Sequence, residues 1–343
     1  MRMLPSEEQR AMAQALRVAL AKECPPEVLR ASWQSGVPRK LWRCLADFGV
    51  FGLMVPEEYG GLSLDECDAV GVLEETGRAA VPGPIPETLA VGRILAAAGP
   101  DHAAEWLPGI TSGDAIVSLG LGPAPLVSSA DIADLLVMQD GPDLYAVSAS
   151  AAQVQRQPCI DGNRRLFAVT WAPSAATVLL TGAAAQQALI GARDRLLVGT
   201  SAQLIGLARQ LLDMSVTHAT TRHQFGQPLG SFQAVQHRLA DVAVAIEFAG
   251  PVVARAAVSL VANAPSAARD AAMAKVFASD AAERAAYAAL QVHGAIGYTR
   301  EHDLHLYALR AWSLALAHGN ADEHRSRVAD DLLSAGPAPR FPE

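Results

Sequence analysis

The sequence predicts a mainly helical α+β chain: a helical N-terminal domain, a short middle β domain, then an antiparallel four-helix bundle. Three observations predict it. Hydrophobic residues make up 51% of the 343 while aromatics make up only 5%, a balance that reflects heavy use of Ala, the best helix former. Apolar residues recur at three- and four-residue spacing in the first and last thirds, the period of a helix with one buried face. Between them lie short apolar runs separated by Gly, Pro, Asp or Asn, which is how strands and turns read. The expected boundaries are 1–112, 113–192 and 193–334, and a chain of this length can bury a sizeable core.

Taken in order, Ser6-Glu-Glu-Gln9 has the form of a capping box, and Met12, Leu16 and Leu20 then repeat every four residues. A second helical segment around Leu41 to Leu45 runs into Gly49, and Pro56 with Gly60 and Gly61 forces a loop. Helical patterning resumes from Val70 to Arg78, breaks at Pro82, Pro84 and Pro86, and ends near Gly99-Pro100. Strand-like runs follow at Ile116–Gly120, Leu135–Met138, Leu144–Val147, Leu166–Thr170 and Thr177–Leu180. The last third carries Leu204, Leu207, Leu211 and Met214, then Phe232, Val235, Leu239, Val242 and Ile246, then an Ala-rich run from Ala267 to Leu290. Long amphipathic helices with short connections indicate an antiparallel bundle.

A net charge of −8 and a pI near 5.6 argue against nucleic acid, whose binding needs clustered Lys and Arg. Cys24, Cys44, Cys67 and Cys159 lie far apart, without the pair spacing of a zinc site or a disulfide framework. The N-terminus has no signal-like apolar run, and Gly250, Pro251 and Arg255 interrupt the apolar stretch from Phe248 to Ala264. A cytoplasmic protein with no membrane partner is expected.

Three stretches carry a resemblance. The first is Val55-Pro-Glu-Glu-Tyr-Gly-Gly61 with Glu74-Glu-Thr-Gly-Arg78. The second is Arg222-His-Gln-Phe-Gly-Gln-Pro-Leu229, continuing through Phe232-Gln233 to Gln236-His-Arg-Leu-Ala-Asp241. The third is Gln291-Val-His-Gly-Ala-Ile-Gly-Tyr298. In this order on a helix–β–helix chain, they resemble the acyl-CoA dehydrogenase family over nearly the whole length. The resemblance implies FAD as cofactor, an acyl-CoA substrate oxidised to its trans-2-enoyl thioester, and electron-transfer flavoprotein as acceptor. It also implies that Arg222, Gln224, Phe225 and Gln233 reach across an interface to the ADP half of a neighbouring subunit's FAD. Gln291, Gly294 and Ala295 match the place where backbone approaches the pyrophosphate, although the family often has Gly where Ala295 stands.

Two departures from the family pattern matter. Full-length relatives open the middle domain with a Thr-Glu-Pro-x-x-Gly-Ser-Asp stretch against the flavin ring; here the region reads Leu119-Gly-Leu-Gly-Pro-Ala-Pro-Leu-Val-Ser-Ser-Ala-Asp131. The catalytic Glu is missing from both family positions. Alignment on Gly319 and Arg325 puts His318 at the usual one, and counting back from Arg222 and Asp213 puts Leu196 at the other, with Asp194 just before it. This combination is similar to the short subunit of bacterial α2β2 acyl-CoA dehydrogenases, including those of steroid side-chain breakdown, and implies a full-length partner chain. Two other readings stand beside it: a self-sufficient homo-oligomer using His318 or Asp194 as base, and a non-catalytic structural homologue.

Overall fold

The computed structural model describes residues 4–334. Six helices open the chain: α1 (Glu7–Glu23), α2 (Pro26–Ser35), α3 (Arg39–Asp47), α4 (Glu66–Arg78), α5 (Ile85–Ala97) and α6 (Pro100–Thr111). The capping box is present, with the Gln9 amide donating to Ser6 Oγ at 3.2 Å and the Ser6 amide donating to Gln9 Oε1 at 2.8 Å. Two helices were not expected, α2 and α6. Pro26 and Pro100 start them at the first helical position, where a missing N–H costs nothing and the fixed φ is already helical. The loop after α3 closes because Gly61 has no Cβ; one built there would stand 2.0 Å from the Val55 carbonyl oxygen.

The middle region forms two small sheets. One has the order β1 (Val117–Gly120), β3 (Leu135–Asp140), β4 (Asp143–Ser148), β7 (Val178–Leu180), with β1 parallel to β3 and the other pairs antiparallel. The second is antiparallel, β2 (Leu126–Ser128), β6 (Leu166–Thr170), β5 (Gln153–Gln157). Val127, Leu136, Met138, Val147 and Phe167 pack as the core between them. The five expected strands are present; β2 and β5 are additions.

The boundary expected at 192/193 lies inside a helix. α7 runs from Gly182 to Thr221, 40 residues or about 60 Å of helix. A small hairpin, β8 (His223–Gln224) and β9 (Gln227–Pro228), leads into α8 (Gln233–Val261), α9 (Ala267–His293), α10 (Leu304–Ala315) and α11 (Ala321–Ser334). The C-terminal region thus holds five helices where four were expected, because α10 and α11 are two short helices folded over α9. α8 is long and apolar enough to cross a membrane, but 44% of its most apolar window is buried, against α7 and α9.

The N-terminal layer is locked to the bundle where α4 crosses α7. Gly77 and Gly206 face opposite backbones: a Cβ on Gly77 would sit 2.1 Å from the Gln203 carbonyl oxygen, and one on Gly206 would sit 1.9 Å from that of Glu74. Ion pairs flank the crossing, Arg195 with Glu66 at 2.6 Å, Arg209 with Glu74 at 2.7 Å, and Arg78 with Asp213. The Glu74–Arg78 motif is therefore structural, its glycine included. Glu247 is structural as well, pairing with Arg209 at 2.8 Å.

Candidate active site

The small sheets and the bundle enclose a cleft of about 490 Å³. Its β wall is apolar, formed by Leu119, Leu121, Pro125, Leu126 and Leu166, and its helical wall includes Leu196, Leu316 and His318. Leu196 and His318, the two positions at which the sequence led us to look for a base, therefore line one cavity, though they are 122 residues apart in sequence. Asp194 is not among the lining residues. It is two residues from Leu196 on α7, about 200° around the helix, and it is buried. Burial pushes its pKa up, with Arg327, Arg195 and Arg193 pulling it down.

His318 follows the end of α10 in a left-handed conformation, φ +57°. The residue is exposed, and it lines both the cleft and the smaller cavity behind it. Desolvation there, then the charges of Arg164, Lys275 and His324, push its pKa down to about 3. A general base works best with a pKa near the operating pH; this imidazole is neutral at pH 7 but a weak proton acceptor. Lys275 of α9 is fully buried and donates to the carbonyl oxygens of Ala315 at 2.6 Å and Gly319 at 3.1 Å. It holds the turn that carries His318.

Behind the cleft lies a charged network that sequence reasoning missed. Arg310 pairs with Asp161, both buried, and donates to the Val81 carbonyl at 2.9 Å. Arg164 donates to the Ser313 carbonyl at 2.7 Å. Glu87, at the start of α5, is a second buried carboxylate beside this network. Burial raises its pKa while Arg164 and Arg310 lower it. It lines, with His318, Arg164 and Arg310, a separate cavity of about 20 Å³, room for about one water and too small for an acyl chain. No sequence pattern signals this network, since its members come from α5, the β region and α10. Trp171 packs at a tilt against Tyr145, ring centroids 5.1 Å apart, and lines another cavity in the β region that includes neither Leu196 nor His318.

The residues of the second and third motifs sit at an outward rim. Arg222 caps the C-terminus of α7, and its carbonyl accepts from the Leu229 amide at 2.8 Å, closing the hairpin. Phe225 and Gly226 form the tip with φ of +55° and +81°. That pair of positive values suits a two-residue hairpin, but Phe pays for it in backbone strain, of order 1–3 kcal/mol. Phe225 is 89% exposed and meets the Phe232 ring edge-on, with centroids 6.0 Å apart. Arg222, Gln224, Gln233 (first residue of α8), Gln291 and Ala295 are all exposed. Gly294 ends α9 at φ +64° with open space where a Cβ would point. His293 of the third motif lies against His218, one turn of α7 before Arg222, with ring centroids 4.3 Å apart.

A helical layer and a helical bundle clasping small sheets, with a cleft between them, is the build of an acyl-thioester dehydrogenase. The family model described as acyl-CoA dehydrogenase, N-terminal domain, matches residues 6–114, and that described as acyl-CoA dehydrogenase, C-terminal domain, matches 185–333. The chain is 37% identical to acyl-CoA dehydrogenase IpdE2 of Mycobacterium tuberculosis, covering 93% of each sequence. Among solved structures it is similar to a variant of the Tcur3481–Tcur3483 steroid ACAD at TM-score 0.83 and 26% identity, covering 97% of this chain and 99% of that one. It shares the fold of a chain in the ChsE4–ChsE5 complex of Mycobacterium tuberculosis at TM-score 0.86 and 24% identity, covering 98% and 100%. The chain belongs to the acyl-CoA dehydrogenase family.

Proposed function

We propose that this chain is the short subunit of a heteromeric, cytoplasmic acyl-CoA dehydrogenase that desaturates a steroid-type or other lipid acyl-CoA at its α,β bond. One observation carries the reading: both family base positions open onto the same cleft, and they hold Leu196 and His318. A leucine cannot take a proton, and the histidine is held at low basicity by its surroundings and its cationic neighbours. The pairing of two differently named chains in the Tcur3481–Tcur3483 steroid ACAD supports the heteromer and the substrate class.

The residues present fit one end of FAD and not the other. At the rim, Arg222 offers a guanidinium for bidentate phosphate contact, Phe225 a flat apolar wall, and Gly294 an open approach to backbone. Gln224, Gln233, Gln291 and Ala295 flank them. In the cleft, the β wall of Leu119, Leu121, Pro125 and Leu126 is apolar where a flavin ring would need donors, and Ser313 on the opposite side has its Oγ engaged by Arg164 at 3.2 Å. This chain would therefore hold the ADP end of a cofactor whose ring sits in a full-length partner. A bound FAD would supply the acceptor for the β-hydrogen, with electron-transfer flavoprotein as the expected onward acceptor. The partner supplies the carboxylate that removes the α-proton. The exposed apolar side chains Val244 and Phe248 on α8 and Phe277 and Tyr287 on α9 suit burial against other subunits.

The test is reconstitution. The chain expressed alone should retain little flavin and show no acyl-CoA oxidation with an artificial acceptor. Co-expression with a full-length homologue should restore both, with about one FAD per pair of chains. A yellow, active homo-oligomer would overturn the proposal.

A further inference from the structure

Three histidines converge at one end of the bundle, away from the cleft. His218 lies in the last turn of α7, His293 closes α9, and His302 sits in the turn before α10. Ring centroids are 4.3 Å apart for His218–His293, 4.7 Å for His293–His302 and 6.4 Å for His218–His302. One ring nitrogen from each lies within 4.8 Å of the other two.

The central ring is already oriented. Nδ1 of His293 lies 2.8 Å from the Ala289 carbonyl one turn back. Of the two atoms only the nitrogen can carry hydrogen, so Nδ1–H donates and Nε2 keeps the lone pair. That Nε2 is buried without a hydrogen-bond partner, in a residue only 5% exposed. Buried polar atoms are almost always satisfied, and an exception calls for an explanation such as an ion. A ring N–H tied to a main-chain carbonyl, with the opposite nitrogen free, is how proteins hold a metal-ligating imidazole. The carbonyl ends of α7 and α9 both point here, and helix C-termini favour a cation.

We propose that His218, His293 and His302 bind one divalent transition-metal ion of the zinc type, with a remaining position open to solvent. Three imidazoles from separate segments suit zinc, copper or nickel rather than magnesium or calcium, which prefer oxygen. Zinc–nitrogen bonds of about 2.1 Å set the nitrogens roughly 3.4 Å apart in a tetrahedral centre, so the half-exposed rings of His218 and His302 must draw in towards His293. His302 now accepts from the Leu304 amide through Nδ1 at 3.1 Å. On binding through Nε2, its ring proton moves from Nε2 to Nδ1 and that contact is given up. The ion would clasp the ends of α7 and α9, from which the Arg222 hairpin and the Gly294 turn project. The site stands independently of the cofactor reading, since it needs no partner chain and no flavin.

The experiment is a titration of the chelator-treated full chain with Co²⁺, followed by Zn²⁺. One equivalent of Co²⁺ should give a visible ligand-field band that Zn²⁺ abolishes. His293→Ala should weaken binding more than about 100-fold, beyond the 10–100-fold cost of losing an outer-shell partner. His218→Ala, which alters a half-exposed residue and should keep the native circular dichroism, should weaken it by at least about 10-fold. His237→Ala, on the exposed face of α8, should leave binding unchanged. The proposal fails if no saturable one-equivalent complex forms, or if the complex survives both His293→Ala and His218→Ala, or if His237→Ala abolishes it.

Discussion

Behind the cleft the chain answers its own charges: Arg310 has Asp161, Arg164 has the Ser313 carbonyl, and Lys275 has the carbonyls of Ala315 and Gly319. At the rim it does not. Arg222 is exposed with no ion pair among the described residues, and Phe225 holds a strained backbone with its ring in solvent. Self-satisfied charge rigidifies a fold, whereas backbone strain such as that at Phe225 clusters at ligand clamps and switch regions. The contrast teaches that two regions of one chain are built differently: the inner one commits its charges to its own fold, and the outer one leaves them to solvent.

The largest expected effect tests the inner half. Arg310→Ala leaves Asp161 charged and unpaired in the interior, which should cost about 3–5 kcal/mol. A calorimetric melt should show it as a large fall in Tm, and an unchanged melt would mean that the network is idle. Next is Lys275, whose burial pushes its pKa down to about 7, against about 10.4 for an unfolded lysine. A depressed pKa contributes stability that is complete above the unfolded value and is lost as pH falls through the folded one. Between about pH 10 and pH 7, native stability should therefore fall by up to about 1.4 kcal/mol per pH unit relative to Lys275→Met. Parallel pH profiles for the two proteins would remove Lys275 from the account.

The rim effects are smaller. Arg222→Ala should weaken FAD retention in the assembled complex by about 2 kcal/mol, roughly 30-fold; equal flavin occupancy under dilution would break the outward assignment. Phe225→Gly should raise the stability of the isolated chain by about 1 kcal/mol as the φ strain is relieved, while loosening cofactor binding. A variant that loses stability instead would show that Phe225 packs within its own chain. Smallest of all, His318→Ala in the restored complex should leave turnover within about two-fold, against the 10²–10⁴ that loss of a general base costs. A loss of that larger size would favour the homo-oligomer with His318 as its base.

The order of helices, sheets and bundle was legible because its signals are local. Leu204, Leu207, Leu211 and Met214 mark one face of α7, and Leu135 to Met138 mark a fully buried strand. What stayed hidden has physical reasons. β5 reads Gln-Val-Gln-Arg-Gln because it is an exposed edge strand with almost no buried face. The first turns of α7 carry little apolar period, since Gly182, Ala183, Ala184, Gln186 and Gln187 are exposed. The hairpin at Phe225 has strands of two residues, too short for any pattern. At the site, the positions of Leu196 and His318 could be read by resemblance, but their meeting in one cleft could not. The neighbours that lower the basicity of His318, Arg164 and Lys275, come from segments far away in sequence.

The crossing of α4 and α7 at Gly77 and Gly206 has a consequence for how the molecule opens. Two helix backbones in direct contact leave no side-chain layer that could slide or breathe between them, so the amides beneath the crossing can meet solvent only when the helices part altogether. In hydrogen exchange, the centres of α4 and α7 should share one slow rate set by global unfolding. The hairpin amides after Arg222 should exchange orders of magnitude sooner. Even a methyl group at residue 206 would wedge the pair apart and let α4 exchange on its own clock.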